Sequence, residues 1–162
     1  MRNSSIRKPI TKILLCVIWL GIIFYNGTRE GIVSQKSSKE VVKVVSQFVN
    51  IPLEKINKPK IKFSDINYYV RKNAHFFQYL VLSTLLCGAV RQFKLNRSSE
   101  IFLLLFFLLL FPVLDELIQK YIPGRTSNIF DIIIDFSGGV LGMLIFNVNA
   151  KIHKKRATMT VS

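Results

Sequence analysis

The chain has 162 residues, half of them apolar, and a formal net charge of +14. Charged and apolar residues are segregated into blocks, and residues 101–114 contain no charged side chain. This pattern argues against a soluble basic protein and is typical of a single integral membrane domain. No nucleic-acid recognition motif is present, so we expect the basic charge to face a bilayer with anionic lipids.

The N-terminal part predicts a basic arm and a first span. Residues 1–9 form the arm, the apolar stretch Ile13–Tyr25 follows it, and the predicted span covers about residues 10–25. No small-x-small cleavage site follows, so this stretch predicts an uncleaved transmembrane helix rather than a signal peptide. In the loop over residues 26–72, apolar side chains recur at helical spacing between Ser38 and Asn50, which predicts an amphipathic helix on the outer membrane surface.

Three further apolar runs, over residues 73–90, 100–117 and 129–148, predict three more spans. They are too long and too uniformly apolar for barrel strands, and helices are the other way to satisfy a backbone in lipid. The predicted fold class is therefore all-α: a polytopic membrane protein with a bundle of four transmembrane helices and an outer amphipathic helix. Cys16 and Cys87 lie inside apolar runs and predict neither a disulfide nor a metal site.

Basic segments predict the orientation. The arm, the connection between the second and third spans, and the tail over residues 149–162 fall on one side of a four-span protein. The positive-inside rule places them, and both termini, in the cytoplasm. The outer loop also carries ten Lys and Arg residues, but the rule gives most weight to short loops. The predicted domain covers residues 10–148.

Ionisable side chains interrupt the apolar runs. A charge at the centre of a membrane helix costs about 2.5–3.5 kcal/mol, so such residues indicate function. The predicted topology gathers them at the outer ends of three spans. The candidates for catalysis are His75, Asp115, Glu116, Asp131 and Asp135. The candidates for ligand binding are Arg71, Lys72, Tyr79, Gln119 and Arg125.

Helical spacing predicts which way these groups face. Asp131 and Asp135 share a stripe with Gly138 and Gly142, whose GxxxG spacing permits close helix approach, so the carboxylates should point into the bundle. Steps of four residues on the second span create another polar stripe, consisting of His75, Tyr79 and Ser83.

Three chemical interpretations remain open. His75 could act as a general acid or base with Asp115 or Asp131. A divalent cation could be held by Asp115, Glu116, Asp131 and His75; no compact signature such as HExxH is present, however, and neither a metal nor a cofactor is predicted. A structural salt-bridge network would pair Arg71, Lys72 and Arg125 with the four carboxylates.

The order of these residues resembles the VanZ-like family of small membrane proteins. The resemblance extends over about residues 24–146. It rests on Arg71-Lys72-x-Ala74-His75-Phe76-x-x-Tyr79, Asp115-Glu116-x-x-Gln119, Pro123-Gly124-Arg125, and Asp131 and Asp135 followed by Gly138 and Gly142. Where the family has an Asn in the last span, this chain has Asp135, which adds a charge.

The resemblance implies a multi-pass protein of the bacterial cell membrane that is linked to glycopeptide resistance, especially to teicoplanin. The resemblance indicates a resistance phenotype but does not identify a chemical reaction. We therefore expect an outward-facing polar intramembrane site that takes a cell-wall precursor or a lipoglycopeptide. The alternatives are a membrane hydrolase or transferase that acts on a lipid-phosphate or cell-wall precursor through His75 and a carboxylate, and a scaffold held together by its charges. The sequence predicts no oligomeric state.

Overall fold

The computed structural model describes residues 3–29, 40, 63–125 and 127–159. Four α-helices follow one another: α1 (Asn3–Thr28), α2 (Phe63–Val90), α3 (Arg97–Gln119) and α4 (Ile129–Met159). A 3-10 helix over Arg91–Phe93 continues α2. No strand occurs in these described ranges, and the predicted all-α class is confirmed.

Each of the four helices contains a segment long and apolar enough to cross a membrane: Ile10–Thr28, Tyr68–Phe93, Arg97–Gln119 and Ile129–His153. The predicted number of spans is confirmed. The predicted spans are shorter than the helices of the structure, because polar residues at their ends continue the helices. Helices α1 and α2 also extend into both ends of the predicted outer loop. The predicted amphipathic helix lies outside the described residues, except for Glu40, which is helical and exposed.

Local side-chain caps explain where α3 and α4 begin. The side chain of Asn96 accepts a hydrogen bond of 2.8 Å from the backbone N–H of Ser99. The side chain of Asn128 accepts one of 3.1 Å from the N–H of Phe130. Each bond satisfies a backbone donor that has no partner inside its own helix. These caps fix the entry of both helices, and Asn128 also belongs to the site described below.

Helices α2 and α4 run parallel and pack closely through glycines. A Cβ atom on Gly138 would collide with the carbonyl oxygen of Phe76, and one on Gly142 would collide with that of Leu80. Such contact requires residues without a side chain, as in other small-residue membrane interfaces. The predicted GxxxG contact is therefore present, and it joins the N-terminal halves of two helices that carry ionisable groups.

Helix α1 completes the bundle against α2 and α3. Ile23 packs in a buried cluster with Tyr79 and Leu82, and Phe111 of α3 lies against it. The indole N–H of Trp19 donates a hydrogen bond of 2.9 Å to the backbone carbonyl of Gln78. These contacts bring the C-terminal end of α1 to the polar ends of α2, α3 and α4. The two cysteines are free and buried, as predicted.

Candidate functional site

The polar ends of all four helices meet at one end of the bundle. Helix α2 contributes its N-terminal half, α3 its last turns, α4 its first turns and α1 its last turn. At the centre lies a set of buried or half-buried side chains that we call the polar cluster: His75, Tyr79, Asp115, Glu116, Gln119 and Asp135. The structure thus brings together groups that are up to 60 positions apart in the sequence. That this end of the bundle lies on the outer side of the membrane remains a prediction.

His75 stands between two buried carboxylates. Its Nδ1 atom lies 3.5 Å from Oδ2 of Asp135 and 4.0 Å from Oδ2 of Asp115. Both distances exceed the 2.7–3.2 Å, approximately, of a well-formed N–H···O hydrogen bond. The side chains of Asp115 and Asp135 are 0% exposed, and that of His75 is 18% exposed. The imidazole is therefore the part of this trio that reaches the surface of the bundle.

Several polar atoms of the cluster have no hydrogen-bond partner in the described part of the chain. They include Nδ1 of His75, Oδ1 of Asp115, both carboxylate oxygens of Asp135, Oε1 of Glu116 and the hydroxyl of Tyr79. Most buried polar groups in proteins are paired, because leaving one unpaired costs about 1–3 kcal/mol. A concentration of unpaired groups at one point indicates a site rather than ordinary packing.

Asp115 is held in place from two sides. Its Oδ2 accepts a hydrogen bond of 3.0 Å from Nε2 of Gln119, one turn later on α3. Its Oδ1 faces the backbone of Gly27 on α1, where a Cβ atom would overlap it. The carboxylate can therefore move little, and glycine at position 27 is what lets α1 approach it.

Glu116 joins α3 to the start of α4. Its Oε2 accepts a hydrogen bond of 2.8 Å from the backbone N–H of Asn128. Asn128 immediately precedes Ile129, the first residue of α4. The carboxylate of Glu116 therefore also lies at the positive end of the dipole of α4, which favours a negative charge. This bond gives Glu116 a structural task that Asp115 and Asp135 do not have.

Lys72 and Asp131 form a direct ion pair between α2 and α4, one turn before His75 and Asp135. The side chains of both are 15% exposed. Of the predicted salt-bridge network, this is the one pair present among the described residues. Among the described residues, Arg71 makes no ion pair with the carboxylates of Asp115, Glu116, Asp131 or Asp135. The charges of Asp115 and Asp135 are therefore not balanced by a contacting lysine or arginine.

Arg125 is placed by a tight turn. The N–H of Arg125 donates to the carbonyl of Ile122 at 3.1 Å. Gly124 has a φ of 73°, and Pro123 precedes it. This is the pattern of a type II turn, which needs glycine at its third position and favours proline at its second. The Pro-Gly-Arg motif therefore turns the chain so that the guanidinium points back over the cluster.

The guanidinium of Arg125 joins three segments. It donates to the carbonyl oxygens of Asn26 at 2.7 Å and Arg29 at 2.9 Å, and to Oε1 of Gln119 at 2.8 Å. Burial, and then the positive charge of Arg71, lowers the pKa of Arg125 from its usual value. A guanidinium stays charged despite such a shift, so Arg125 supplies a fixed positive charge beside the cluster.

Two kinds of chemistry fit the trio of His75, Asp115 and Asp135. A histidine beside a carboxylate can transfer a proton, with the carboxylate orienting the ring. The same three groups could also hold a metal ion, since one ligand atom from each lies within 4.8 Å of the others. The sequence-based cation set contained Glu116 and Asp131 instead of Asp135; in the structure Glu116 caps α4 and Asp131 pairs with Lys72.

Sequence reasoning missed the contributions of α1 and of Asn128. Asn26 and Gly27 follow the apolar run directly, and nothing in their spacing relates Gly27 to Asp115, 88 positions later, or Asn26 to Arg125, 99 positions later. An Asn immediately before a helix is a recognisable capping signal, and it could have identified Asn128 as the start of α4. Its second bond, to Glu116, depends on how α3 and α4 pack.

Comparisons with known proteins place this architecture in a family. No curated protein and no solved structure matches the chain. The model of the VanZ/LLP1 family matches residues 12–150, which cover nearly all of the four segments that could cross a membrane and every residue of the polar cluster. The chain is therefore a membrane protein of the VanZ/LLP1 family.

Proposed function

We propose that this protein reduces the susceptibility of a bacterium to teicoplanin-type glycopeptides, and that the polar cluster is the site through which it does so. The trio of His75, Asp115 and Asp135 carries the proposal, because four buried polar atoms of these residues have no hydrogen-bond partner among the described residues. The ligand would be a polar group of a cell-wall precursor or of a lipoglycopeptide. The protein would lie in the cell membrane with both termini in the cytoplasm.

The difference between the charged residues that contact protein partners and Asp135, which accepts no hydrogen bond, supports a binding role for the polar cluster. Lys72 pairs with Asp131, Glu116 caps α4, and Arg125 is bound to carbonyl oxygens and Gln119. Each of these contacts joins two segments of the bundle. By contrast, Asp135 accepts no hydrogen bond from the described residues. Burying a carboxylate costs free energy, and among the described residues only the contact with His75 can offset it for Asp135.

The test is teicoplanin susceptibility in a deletion strain that carries the wild-type gene or a variant, compared at matched protein abundance in the membrane. We expect His75→Ala and Asp115→Asn to give the susceptibility of the deletion strain. His153→Ala and Glu100→Gln are matched controls: His153 is exposed near the other end of α4, and Glu100 pairs with Arg91 and Arg97. Full resistance from His75→Ala and Asp115→Asn would refute the proposal, and a loss of membrane abundance would favour a scaffold role.

A second candidate is a membrane hydrolase or transferase acting on a lipid-phosphate or cell-wall precursor. The contact of His75 with Asp115 and Asp135 favours it, since an imidazole oriented by a carboxylate is a common general base. The partial exposure of His75 would let a substrate reach the ring. This candidate predicts that a modified precursor accumulates in the wild type and is absent from His75→Ala; identical precursor profiles would exclude it.

A further inference from the structure

The trio combines one imidazole and two carboxylates from three different helices. His75 comes from α2, Asp115 from α3 and Asp135 from α4, and their nearest ligand atoms all lie within 4.8 Å. A tetrahedral ion with bonds of about 2.1 Å would separate its ligand atoms by about 3.4 Å. The separations of 3.5 Å and 4.0 Å from Nδ1 of His75 are close to that value. Small side-chain adjustments would bring all three groups onto one ion.

The surroundings of the trio independently indicate a missing positive partner. Both oxygens of Asp135 are buried and without a hydrogen bond in the part of the chain that the structure describes, as is Oδ1 of Asp115. The hydroxyl of Tyr79 is also buried without a partner among the described residues. Buried charges in proteins are paired or coordinate metals.

We propose that His75, Asp115 and Asp135 bind a divalent transition-metal ion of the Zn²⁺ or Mn²⁺ type. Carboxylates alone would favour Mg²⁺ or Ca²⁺, whereas an imidazole ligand shifts the preference towards transition ions. Three protein ligands leave a coordination position open, and the oxygen of a substrate or water would fill it. The inference rests on the proposed function in one respect: the polar cluster is a binding site and not only a support of the bundle.

The site has features that orient its ligands. Gln119 donates to Oδ2 of Asp115 and is itself bound by Arg125, so this carboxylate has the outer hydrogen bond that metal-binding carboxylates usually carry. The close contact of Gly138 with the backbone of Phe76 brings α4 to α2 beside His75.

The full-length protein is purified in detergent, stripped with a chelator, and titrated with Zn²⁺, Mn²⁺, Mg²⁺ or Ca²⁺ alone. Bound metal is measured after dialysis, and thermal unfolding is followed in parallel. We expect about one Zn²⁺ or Mn²⁺ per chain and a higher unfolding temperature with the ion. Asp135→Asn and His75→Ala should each weaken binding by at least about 10-fold, whereas Glu100→Gln and His153→Ala should bind as the wild type does.

Two results would refute the proposed metal site. One is a wild type that retains no more metal than Asp135→Asn; the other is binding that survives both Asp135→Asn and His75→Ala. If a variant does not fold, Asp115→Asn replaces it in the same comparison, and a wild type whose unfolding temperature the ion does not raise also refutes the site. A protein that binds no ion but confers resistance would refute the cation site alone. One that binds an ion without affecting susceptibility would refute the resistance role alone.

Discussion

Gly27 of α1 lies directly against the carboxylate of Asp115 on α3. A methyl group at position 27 would overlap Oδ1 of Asp115 and lie 3.4 Å from its Cγ atom. The last turn of α1 therefore forms one wall of the polar cluster, although it contributes no ionisable group to it.

This contact predicts that Gly27→Ala disturbs the site. The added methyl must displace Asp115, and such overpacking in a buried region costs about 1–3 kcal/mol. We expect weaker metal binding and a lower unfolding temperature. Gly21→Ala is the matched control on the same helix, since a Cβ at Gly21 would meet no atom within 4 Å. Equal behaviour of the two variants would show that Asp115 is free to move.

The α2–α4 interface predicts a difference between two adjacent glycines. A Cβ on Gly138 would meet the backbone of Phe76, whereas one on Gly139 would meet the side chain of Leu108. A backbone cannot move aside as a leucine end can, so Gly138→Ala should destabilise by about 1–3 kcal/mol and Gly139→Ala by less. Chemical or thermal unfolding in detergent measures both. A larger loss for Gly139→Ala would contradict the described helix approach.

Arg125 is expected to stabilise the end of the bundle. The substitution Arg125→Ala deletes three hydrogen bonds. A hydrogen bond to a charged group contributes about 1.5–3 kcal/mol. Because water can replace part of these bonds at a half-buried group, we expect the free energy of unfolding to fall by about 3 kcal/mol in total. Arg125→Lys should recover only a part, because an ammonium cannot reproduce the fork of a guanidinium. Lys120→Ala, at an exposed position, is the control. Full recovery by Lys would show that charge alone matters.

The ion pair of Lys72 and Asp131 predicts a coupled response. Removing one partner leaves the other charge poorly compensated, so Lys72→Met and Asp131→Asn should each destabilise the protein, by up to about 3–5 kcal/mol if the pair is fully desolvated. The double variant should lose less than the sum of the two losses. A double-mutant cycle of unfolding free energies tests this; strict additivity would mean that the pair contributes nothing.

The orientation can be tested with single cysteines. Tyr121 is 80% exposed in the connection between α3 and α4, and Lys94 is exposed in the connection between α2 and α3. We expect an impermeant maleimide to label Tyr121→Cys in intact cells and Lys94→Cys only after permeabilisation. The native Cys16 and Cys87 are buried and give the background. The reverse pattern would place the polar cluster on the cytoplasmic side.

Much of the fold could be predicted from the sequence because each helix carries its own signal. The apolar runs predicted four spans, and the spacing of Asp135 and Gly138 predicted the face of α4 that turns into the bundle. The predicted topology also gathered His75, Asp115 and Asp135 into one candidate site.

The pairing inside the site could not be predicted, because it depends on how far one helix is displaced along another. Asp131 and Asp135 lie one turn apart on the same stripe, so spacing alone allows either to meet His75. The structure pairs Asp131 with Lys72 and places Asp135 beside His75.

The parallel contact between α2 and α4 also has a consequence for biosynthesis. During synthesis α2 and α3 enter the membrane before α4 exists, so Lys72 and His75 at first lack the acidic partners that α4 provides. The contacts of Lys72 with Asp131 and of His75 with Asp135 can form only once the last helix is inserted. Assembly of the site is therefore a late event, and a chain that stops before residue 129 would leave polar groups facing lipid, where quality-control proteases can recognise them.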